Sequence, residues 1–275
     1  MTITPRALVI RTAGTNCDAE MVRAFELAGA RADLLHVDAL IADPARVDDY
    51  HLIGFPGGFS YGDDIASGRV LAMKLRETLY PALRDAAERG ALMIGVCNGF
   101  QVMAQVGLLP GPDNGVWPKQ APPQPTVALE NNASARFTAR WVRVEPNPDS
   151  PCVWTRGLWQ DDATDSDAML LPVAHGEGRF TATDAVIRDL EERNLVALRY
   201  AEDINGSASA IAGICDSTGR LFALMPHPER YTAWRQHPHA TRLDPAMREH
   251  DAPGLRVFKN AVAAARESNP AAPAS

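Results

Sequence analysis

One stretch decides the predicted fold: Ala91-Leu92-Met93-Ile94-Gly95-Val96-Cys97-Asn98-Gly99-Phe100-Gln101. Its first six residues are almost wholly apolar, and a short apolar run of this kind predicts a strand buried in a parallel sheet. The residues from 100 to 106 predict a helix. Gly95 and Gly99 flank Cys97 at the junction, where glycine leaves room for a tight strand-to-helix turn. The thiol would then stand above the end of the strand.

Cys97 has the surroundings that a cysteine nucleophile needs. It comes directly before the predicted helix, and the unpaired amides and positive dipole end of a helix N-terminus favour thiolate over thiol. A free cysteine is more often a buried packing residue. The two flanking glycines and the strand-to-helix context favour a catalytic role in this case.

A second apolar strand, residues 221–225, leads into Pro226-His227-Pro228-Glu229-Arg230. Residues two apart in an extended segment can project from the same side. His227 can then accept the thiol proton while Glu229 holds the other imidazole nitrogen. The same spacing is common in solvated pairs, so the sequence by itself leaves both interpretations open.

A double glycine, Gly57-Gly58, follows the apolar strand at residues 51–55. Glycines at the end of a strand let backbone amides point into a site. With the amide of Asn98, an amide near Gly58 could form an oxyanion hole, in which each donor lowers the barrier by about 3–4 kcal/mol. The alternative is an ordinary loop.

The order of elements predicts an α/β fold, with a mostly parallel sheet flanked by helices. Strands are predicted at 7–12, 33–37 and 51–55, with a helix at 19–28. Strands at 126–130, 137–145 and 168–175 have no helix between them and predict an antiparallel extension. A helix at 183–193, a hairpin at 211–225 and a helix at 254–267 follow. In such sheets the site lies beyond the carboxyl ends of the strands.

The whole chain, residues 1–275, is expected to be a single domain with two additions. Prolines crowd residues 110–126, which excludes helix and central strand there. This insertion could be an ordered lid, a partner-facing loop or a disordered segment. The second addition is a C-terminal extension at about residues 233–275.

Composition excludes several classes of function. The net charge is −7, with no basic stripe to neutralise phosphates, which argues against a nucleic-acid binder. No apolar run approaches the length of a membrane span, and the N-terminus has no signal pattern. We therefore expect a cytoplasmic protein without membrane contact.

The sequence also lacks the common cofactor motifs. Its four cysteines show no Cys-x-x-Cys spacing, so no metal site is predicted. No phosphate-binding loop with lysine is present. We expect no cofactor in this chain. Cys17 is the only rival nucleophile, but it lacks flanking glycines and a plausible nearby base, and we expect it to lie at the start of a helix.

Four motifs, in this order, resemble those of the class I glutamine amidotransferases: Gly57-Gly58-Phe59-Ser60-Tyr61-Gly62-Asp63, Gly95-Val96-Cys97-Asn98-Gly99-Phe100-Gln101, Pro172-Val173-Ala174-His175-Gly176-Glu177-Gly178-Arg179 and Met225-Pro226-His227-Pro228-Glu229-Arg230. The resemblance implies a Cys-His-Glu triad that hydrolyses glutamine to glutamate and ammonia. Cys97 would be the nucleophile, His227 the general base and Glu229 its partner. The other residues that the resemblance places near bound glutamine are Gln101, His175 and Gly176. His175 could instead merely shape the loop.

The resemblance is closest to the glutaminase subunits of purine biosynthesis, which pass ammonia to a separate synthetase subunit. It implies that ATP and magnesium bind to that synthetase partner, and that a small accessory subunit could take part. Two alternatives remain at this point. The chain could be a related cysteine amidase or peptidase without a synthetase partner, or a non-catalytic assembly subunit.

Overall fold

The computed structural model describes residues 3–112, 115–158 and 169–268. The strands in these ranges are β1 (Arg6–Arg11), β2 (Arg31–His36), β3 (Leu52–Phe55), β4 (Leu92–Val96), β5 (Val127–Asn131), β6 (Thr138–Pro146), β7 (Leu170–His175), β8 (Glu177–Ala182), β9 (Val196–Tyr200), β10 (Ile211–Cys215) and β11 (Leu221–Leu224). Nine of them form one sheet in the order β2-β1-β3-β4-β11-β10-β9-β6-β7, and β5 pairs with β8 in a second sheet.

The main sheet has a parallel part and an antiparallel part. Neighbouring strands from β2 to β11 run parallel, whereas those from β11 to β7 run antiparallel. The two inner strands β3 and β4 are buried at every residue, as expected for strands covered on both faces. The predicted α/β fold with an antiparallel extension is confirmed. Ala168, where the predicted strand begins, lies outside the described residues.

Helices flank this sheet: α1 (Asp18–Leu27), α2 (Val37–Ala42), α3 (Arg69–Lys74), α4 (Tyr80–Glu88), α5 (Asn98–Val106), α6 (Asp184–Glu192) and α7 (Pro253–Ser268). A π-helical turn at Leu75–Leu79 joins α3 to α4. α5 packs on β4 beside α3, and α1 packs on α7. The contact between α1 and α7 is aromatic: the Phe25 and Phe258 rings lie 5.1 Å apart, edge to face.

The two predicted additions are tied to the body of the protein. Arg76 Nη1 donates to Pro123 O at 3.0 Å, and the Tyr80 hydroxyl donates to Pro118 O at 2.8 Å. Residues 110–112 and 115–126 contain no helix or strand, while 113–114 lie outside the described residues. In the C-terminal extension, α7 buries Phe258 and Val262 in the core, and residues 269–275 lie outside the described part. The division into one domain with two additions stays a prediction.

Parallel strands bring the three candidate motifs together. β3, β4 and β11 are neighbours, and their carboxyl ends lie at one edge of the sheet. Gly57, Cys97 and His227 come directly after these three ends, as the sequence predicted.

Candidate active site

Cys97 has a strained backbone at the turn between β4 and α5. Its φ is 52° and its ψ is −108°, a conformation that residues other than glycine rarely adopt. A Cβ atom at Gly99 would lie 1.9 Å from Phe55 O, and one at Gly95 would lie 2.7 Å from Gly99 O. Both glycines are therefore required by the close approach of backbone. The sequence prediction of a tight elbow is confirmed in this geometry.

His227 and Glu229 form a buried pair. His227 Nδ1 lies 2.6 Å from Glu229 Oε1, and each residue is 2% exposed. Neither His227 Nε2 nor Glu229 Oε2 has a hydrogen-bond partner among the described residues. With Nδ1 bonded to the carboxylate, Nε2 is the nitrogen left for proton transfer. The solvated alternative for this pair is wrong, since both side chains are buried.

The charge state of His227 is set by its neighbours. Burial by itself would lower the pKa of His227. The charge of Glu229 raises it most, followed by Cys97 and Cys17, and the net result is a pKa well above the ordinary value. These neighbours therefore favour the protonated form of His227.

The Gly57-Gly58 segment packs closely against the candidate base. A Cβ at Gly57 would lie 2.7 Å from Cε1 of the His227 ring. Gly58 has a φ of +137°, and a Cβ there would lie 2.4 Å from Asn16 N. Asn98 is the first residue of α5, so its amide belongs to the first turn, whose N–H groups have no partner within the helix. The oxyanion role of Gly58 and Asn98 stays a prediction.

Gln101 is buried, and both ends of its side chain bond to the protein. Its Oε1 accepts a hydrogen bond from Asn98 Nδ2 at 2.9 Å, and its Nε2 donates to Glu177 O. The side chain thus joins the start of α5 to the turn between β7 and β8. The structure places Gln101 beside the site, with its polar atoms already engaged, and its role in binding glutamine stays a prediction.

His175 is buried at the end of β7, where Nδ1 lies 3.0 Å from Asn132 Oδ1. Burial, followed by the positive charge of His227, lowers the pKa of His175 to about 4. The ring is therefore neutral, and its Nε2 has no hydrogen-bond partner in the described part of the chain. Gly176 O accepts from Asn132 N at 2.8 Å. Asn132 thus fixes both residues, and nothing in the sequence singled it out.

Cys97 lies next to the same strand. Its Sγ is 3.8 Å from Ala174 O, and His227 N donates to Pro172 O at 2.8 Å. β7 is the last strand in the order of the main sheet. It nevertheless lies next to the residues that follow β4 and β11. The sequence could not predict that return, because it depends on the curvature of the whole sheet.

Cys17 lies closer to the candidate base than the sequence predicted. Its Sγ is 3.9 Å from His227 Nδ1 and accepts a hydrogen bond from Arg230 Nη2 at 3.1 Å. The expectation that Cys17 has no nearby base is therefore wrong, since the two residues are 210 positions apart and only the fold brings them together. The expected position at a helix start is confirmed: Cys17 precedes α1.

Cys17, His227 and Glu229 also offer donor atoms within 4.8 Å of one another. Sulfur, nitrogen and oxygen donors of this kind suit zinc. His227 Nδ1 is, however, already hydrogen-bonded to Glu229, and the Arg230 guanidinium brings positive charge to the Cys17 sulfur. The arrangement is better described as a hydrogen-bonded pair with a neighbouring thiol. That the chain holds no metal stays a prediction.

This geometry fits a glutamine amidotransferase, and comparison with known proteins shows that the chain belongs to that class. The model of the CobB/CobQ-like glutamine amidotransferase domain matches residues 4–263, so the chain belongs to that family. Within it, the chain is similar to phosphoribosylformylglycinamidine synthase subunit PurQ of Dehalococcoides mccartyi, with 41% identity over 95% of this chain and 98% of that protein. The PurQ subunit of Methanococcus maripaludis is 38% identical over 94% and 97% of the two chains.

A solved structure agrees with these relatives. The structure of PurLQS from Thermotoga maritima matches with a TM-score of 0.66 and 32% identity, over 95% of this chain and 99% of that one. A putative GMP synthase protein from Thermoplasma acidophilum, at 11% identity and a TM-score of 0.54 over 96% of both chains, shares the fold. Among the described helices, none is long and apolar enough to cross a membrane.

Proposed function

We propose that the chain is the glutaminase subunit of phosphoribosylformylglycinamidine synthase. It hydrolyses glutamine to glutamate and ammonia, and a synthetase subunit uses that ammonia to convert formylglycinamide ribonucleotide to formylglycinamidine ribonucleotide. The observation that carries the proposal is the buried His227–Glu229 pair beside Cys97 at its strained turn. The relatives that bear the name of this synthase favour this activity over that of a cysteine peptidase or a non-catalytic subunit.

The first half of the reaction forms a thioester. The thiolate of Cys97 attacks the side-chain amide carbon of glutamine, and the amides of Gly58 and Asn98 hold the oxyanion. As the carbon–nitrogen bond breaks, His227 gives its proton to the departing nitrogen and ammonia leaves. The raised pKa of His227 supports this step, because it favours the imidazolium that donates the proton.

The second half releases glutamate. His227, now neutral, accepts a proton from water, and the resulting hydroxide attacks the thioester carbon. The carbon–sulfur bond breaks, and the thiolate and imidazolium are restored. Glu229 stays hydrogen-bonded to Nδ1 throughout, which keeps Nε2 directed at the reacting atoms.

The proposal includes the partners and the place of action. The solved structure of one relative is that of PurLQS, a name that denotes three components. By kinship we expect this chain to assemble with two others, a large synthetase and a small accessory protein, and to pass its ammonia to the synthetase. ATP and magnesium would bind to the synthetase. The setting would be the cytoplasm.

The test is reconstitution with the synthetase and small subunits. The complex should form formylglycinamidine ribonucleotide with glutamine or with ammonium as the nitrogen source. Cys97→Ala should abolish the glutamine-dependent reaction and leave the ammonium-dependent one intact, because only the first needs the nucleophile. A wild-type complex that uses ammonium but not glutamine would overturn the proposal.

A further inference from the structure

The segment that carries Gly57 and Gly58 has an unusual backbone. After Gly58, three consecutive residues, Tyr61, Gly62 and Asp63, have φ values of 54°, 73° and 53°. Left-handed conformations at Tyr61 and Asp63 are unfavourable unless the surroundings impose them. Some set of contacts must therefore hold this segment in place.

Backbone hydrogen bonds from Phe59 N to Gly14 O (2.7 Å) and from Tyr61 N to Ala13 O (2.8 Å) hold one side of the segment, and the side chain of Asn98 holds the other. Asn98 Oδ1 accepts a hydrogen bond from Ser60 N at 3.2 Å, and its Nδ2 donates to Asp63 Oδ1 at 3.1 Å. Asn98 is 3% exposed and directly follows Cys97 in the chain. One buried side chain thus joins the nucleophile turn to the segment that carries Gly58.

Asp63 determines which way the Asn98 amide points. A carboxylate only accepts hydrogen bonds, so the end of Asn98 that faces Asp63 must be the NH₂ group. The oxygen is then directed at Ser60 N. On the other side, Asn98 Nδ2 also meets Gln101 Oε1, whose orientation is fixed because Gln101 Nε2 faces the carbonyl of Glu177. Asp63 itself is held by Gly68 N at 3.1 Å and by the Ser67 hydroxyl at 3.0 Å.

We propose that Asp63 is a positioning residue of the glutaminase reaction, which acts through the Asn98 side chain to set the Gly57-Gly58 segment relative to Cys97. This role rests on the proposed function. Asp63 touches neither the sulfur nor the imidazole in the contacts described above. Its effect should therefore fall on stabilisation of the oxyanion and not on formation of the thiolate.

Two substitutions at this position separate the hydrogen bonds from the charge. Both Asn98 Nδ2 and Gly68 N donate to the same oxygen, Oδ1. An amide in Asp63→Asn can keep that oxygen in place while its nitrogen donates to the Ser67 hydroxyl. Asp63→Leu has a similar size but can accept no hydrogen bond.

The test uses the full chain in its complex with the synthetase and small subunits. Asp63→Leu should lower kcat for glutamine by about 10- to 100-fold, as expected for a catalytic group displaced by about 1 Å. KM should change by less than about threefold, since the effect falls on the transition state. Asp63→Asn should recover most of kcat. Asp64→Leu removes an exposed neighbouring carboxylate and serves as the matched control, with kcat unchanged.

Alkylation of Cys97 by iodoacetamide provides the second measurement, followed by peptide mass spectrometry. This displacement needs the thiolate but no oxyanion hole, so its rate should be the same in wild type and Asp63→Leu. A parallel loss of alkylation and kcat would overturn the role, as would an equal loss in Asp63→Asn. An active wild type that Asp63→Leu leaves unchanged would reject only this role. A wild type that releases no glutamate would reject the proposed function as well.

Discussion

At the scale of single residues, the site depends on two side chains, Glu229 and Cys17, that both contact Nδ1 of the His227 ring. Glu229 Oε1 lies 2.6 Å from Nδ1, whereas Cys17 Sγ lies 3.9 Å from the same atom. The short contact orients the ring, and both neighbours raise its pKa, Glu229 more than Cys17. The sequence predicted the pairing with Glu229 because the two residues are close in the chain. It could not predict the contact with Cys17, which exists only after the strands have assembled.

Replacing Glu229 by glutamine should move the pH dependence of the reaction. In wild type the pKa of His227 is raised, so His227 loses its proton only when the pH rises well above the ordinary histidine range. Above that pH the reaction has no general acid. Glu229→Gln removes a charge that raises this pKa, so the falling limb of kcat against pH should move to lower pH. We expect kcat at neutral pH to fall by about 100-fold. Glu20→Gln, which removes a carboxylate near Arg230 instead, should leave the falling limb of kcat against pH unchanged. A shift of equal size in Glu20→Gln would contradict the assignment of Glu229 as the partner of His227.

Replacing Cys17 by alanine should have a small effect. Its sulfur makes only a long contact with His227, so we expect glutamine turnover to stay within about threefold of wild type. The falling pH limb should move slightly to lower pH, because Cys17 also raises the pKa of His227. The comparison is with Cys97→Ala, which should be inactive with glutamine. Loss of activity in Cys17→Ala with activity kept in Cys97→Ala would reverse the assignment of the nucleophile.

At the scale of elements, α7 is part of the core. The helical spacing of residues 254–267 predicts that apolar side chains such as Phe258 and Val262 pack onto the domain, and their burial confirms it. Phe258 is fully buried, with its ring 5.1 Å from Phe25 on α1 and 6.4 Å from Trp154. α7 thus buries a side chain among aromatic residues from two distant parts of the chain.

Truncation of Phe258 should therefore destabilise the whole protein. We expect Phe258→Ala to lower the free energy of unfolding by about 3–5 kcal/mol, the usual range for loss of a buried phenylalanine. Urea denaturation followed by circular dichroism would measure it. The exposed residue Glu267 lies on the same helix, and Glu267→Ala should change the free energy by less than about 0.5 kcal/mol. Similar midpoints for the two variants would show that α7 does not support the core.

Some elements were beyond sequence reasoning for identifiable reasons. Helices α3 and α4 were not predicted: Gly68, which precedes α3, has φ +74° and offers no side-chain cap, and no side-chain cap marks the start of α4. The strands that lead into the motifs were predicted because each is a short apolar run that ends in residue types typical of an active site. For Asp63, the left-handed backbone and the contact with Asn98 emerge only in three dimensions.

At the scale of the whole molecule, the parallel half of the sheet supplies the three residues of the proposed triad, and the last strand of the antiparallel half contacts them. The parallel half could be predicted from alternating strands and helices, because that alternation restricts topology strongly. The pairing of β11 with β10 was predicted as a hairpin and is confirmed. The pairing of β11 with β4 could not be predicted, since it joins strands that are distant in the chain. The return of β7 to the site, through Pro172 and Ala174, depends on the same pairing.

The position of β11 in the sheet has a consequence for the folding of the chain during its synthesis. Of the described strands, β11 comes last from the ribosome, yet it pairs with β4, whose end carries Cys97. Until residue 224 has emerged, that side of β4 is an open edge, exposed to wrong pairing. His227 and Glu229 emerge only afterwards. The nascent chain therefore carries Cys97 without its proposed base for most of its synthesis, and the two residues come together only when the sheet is completed.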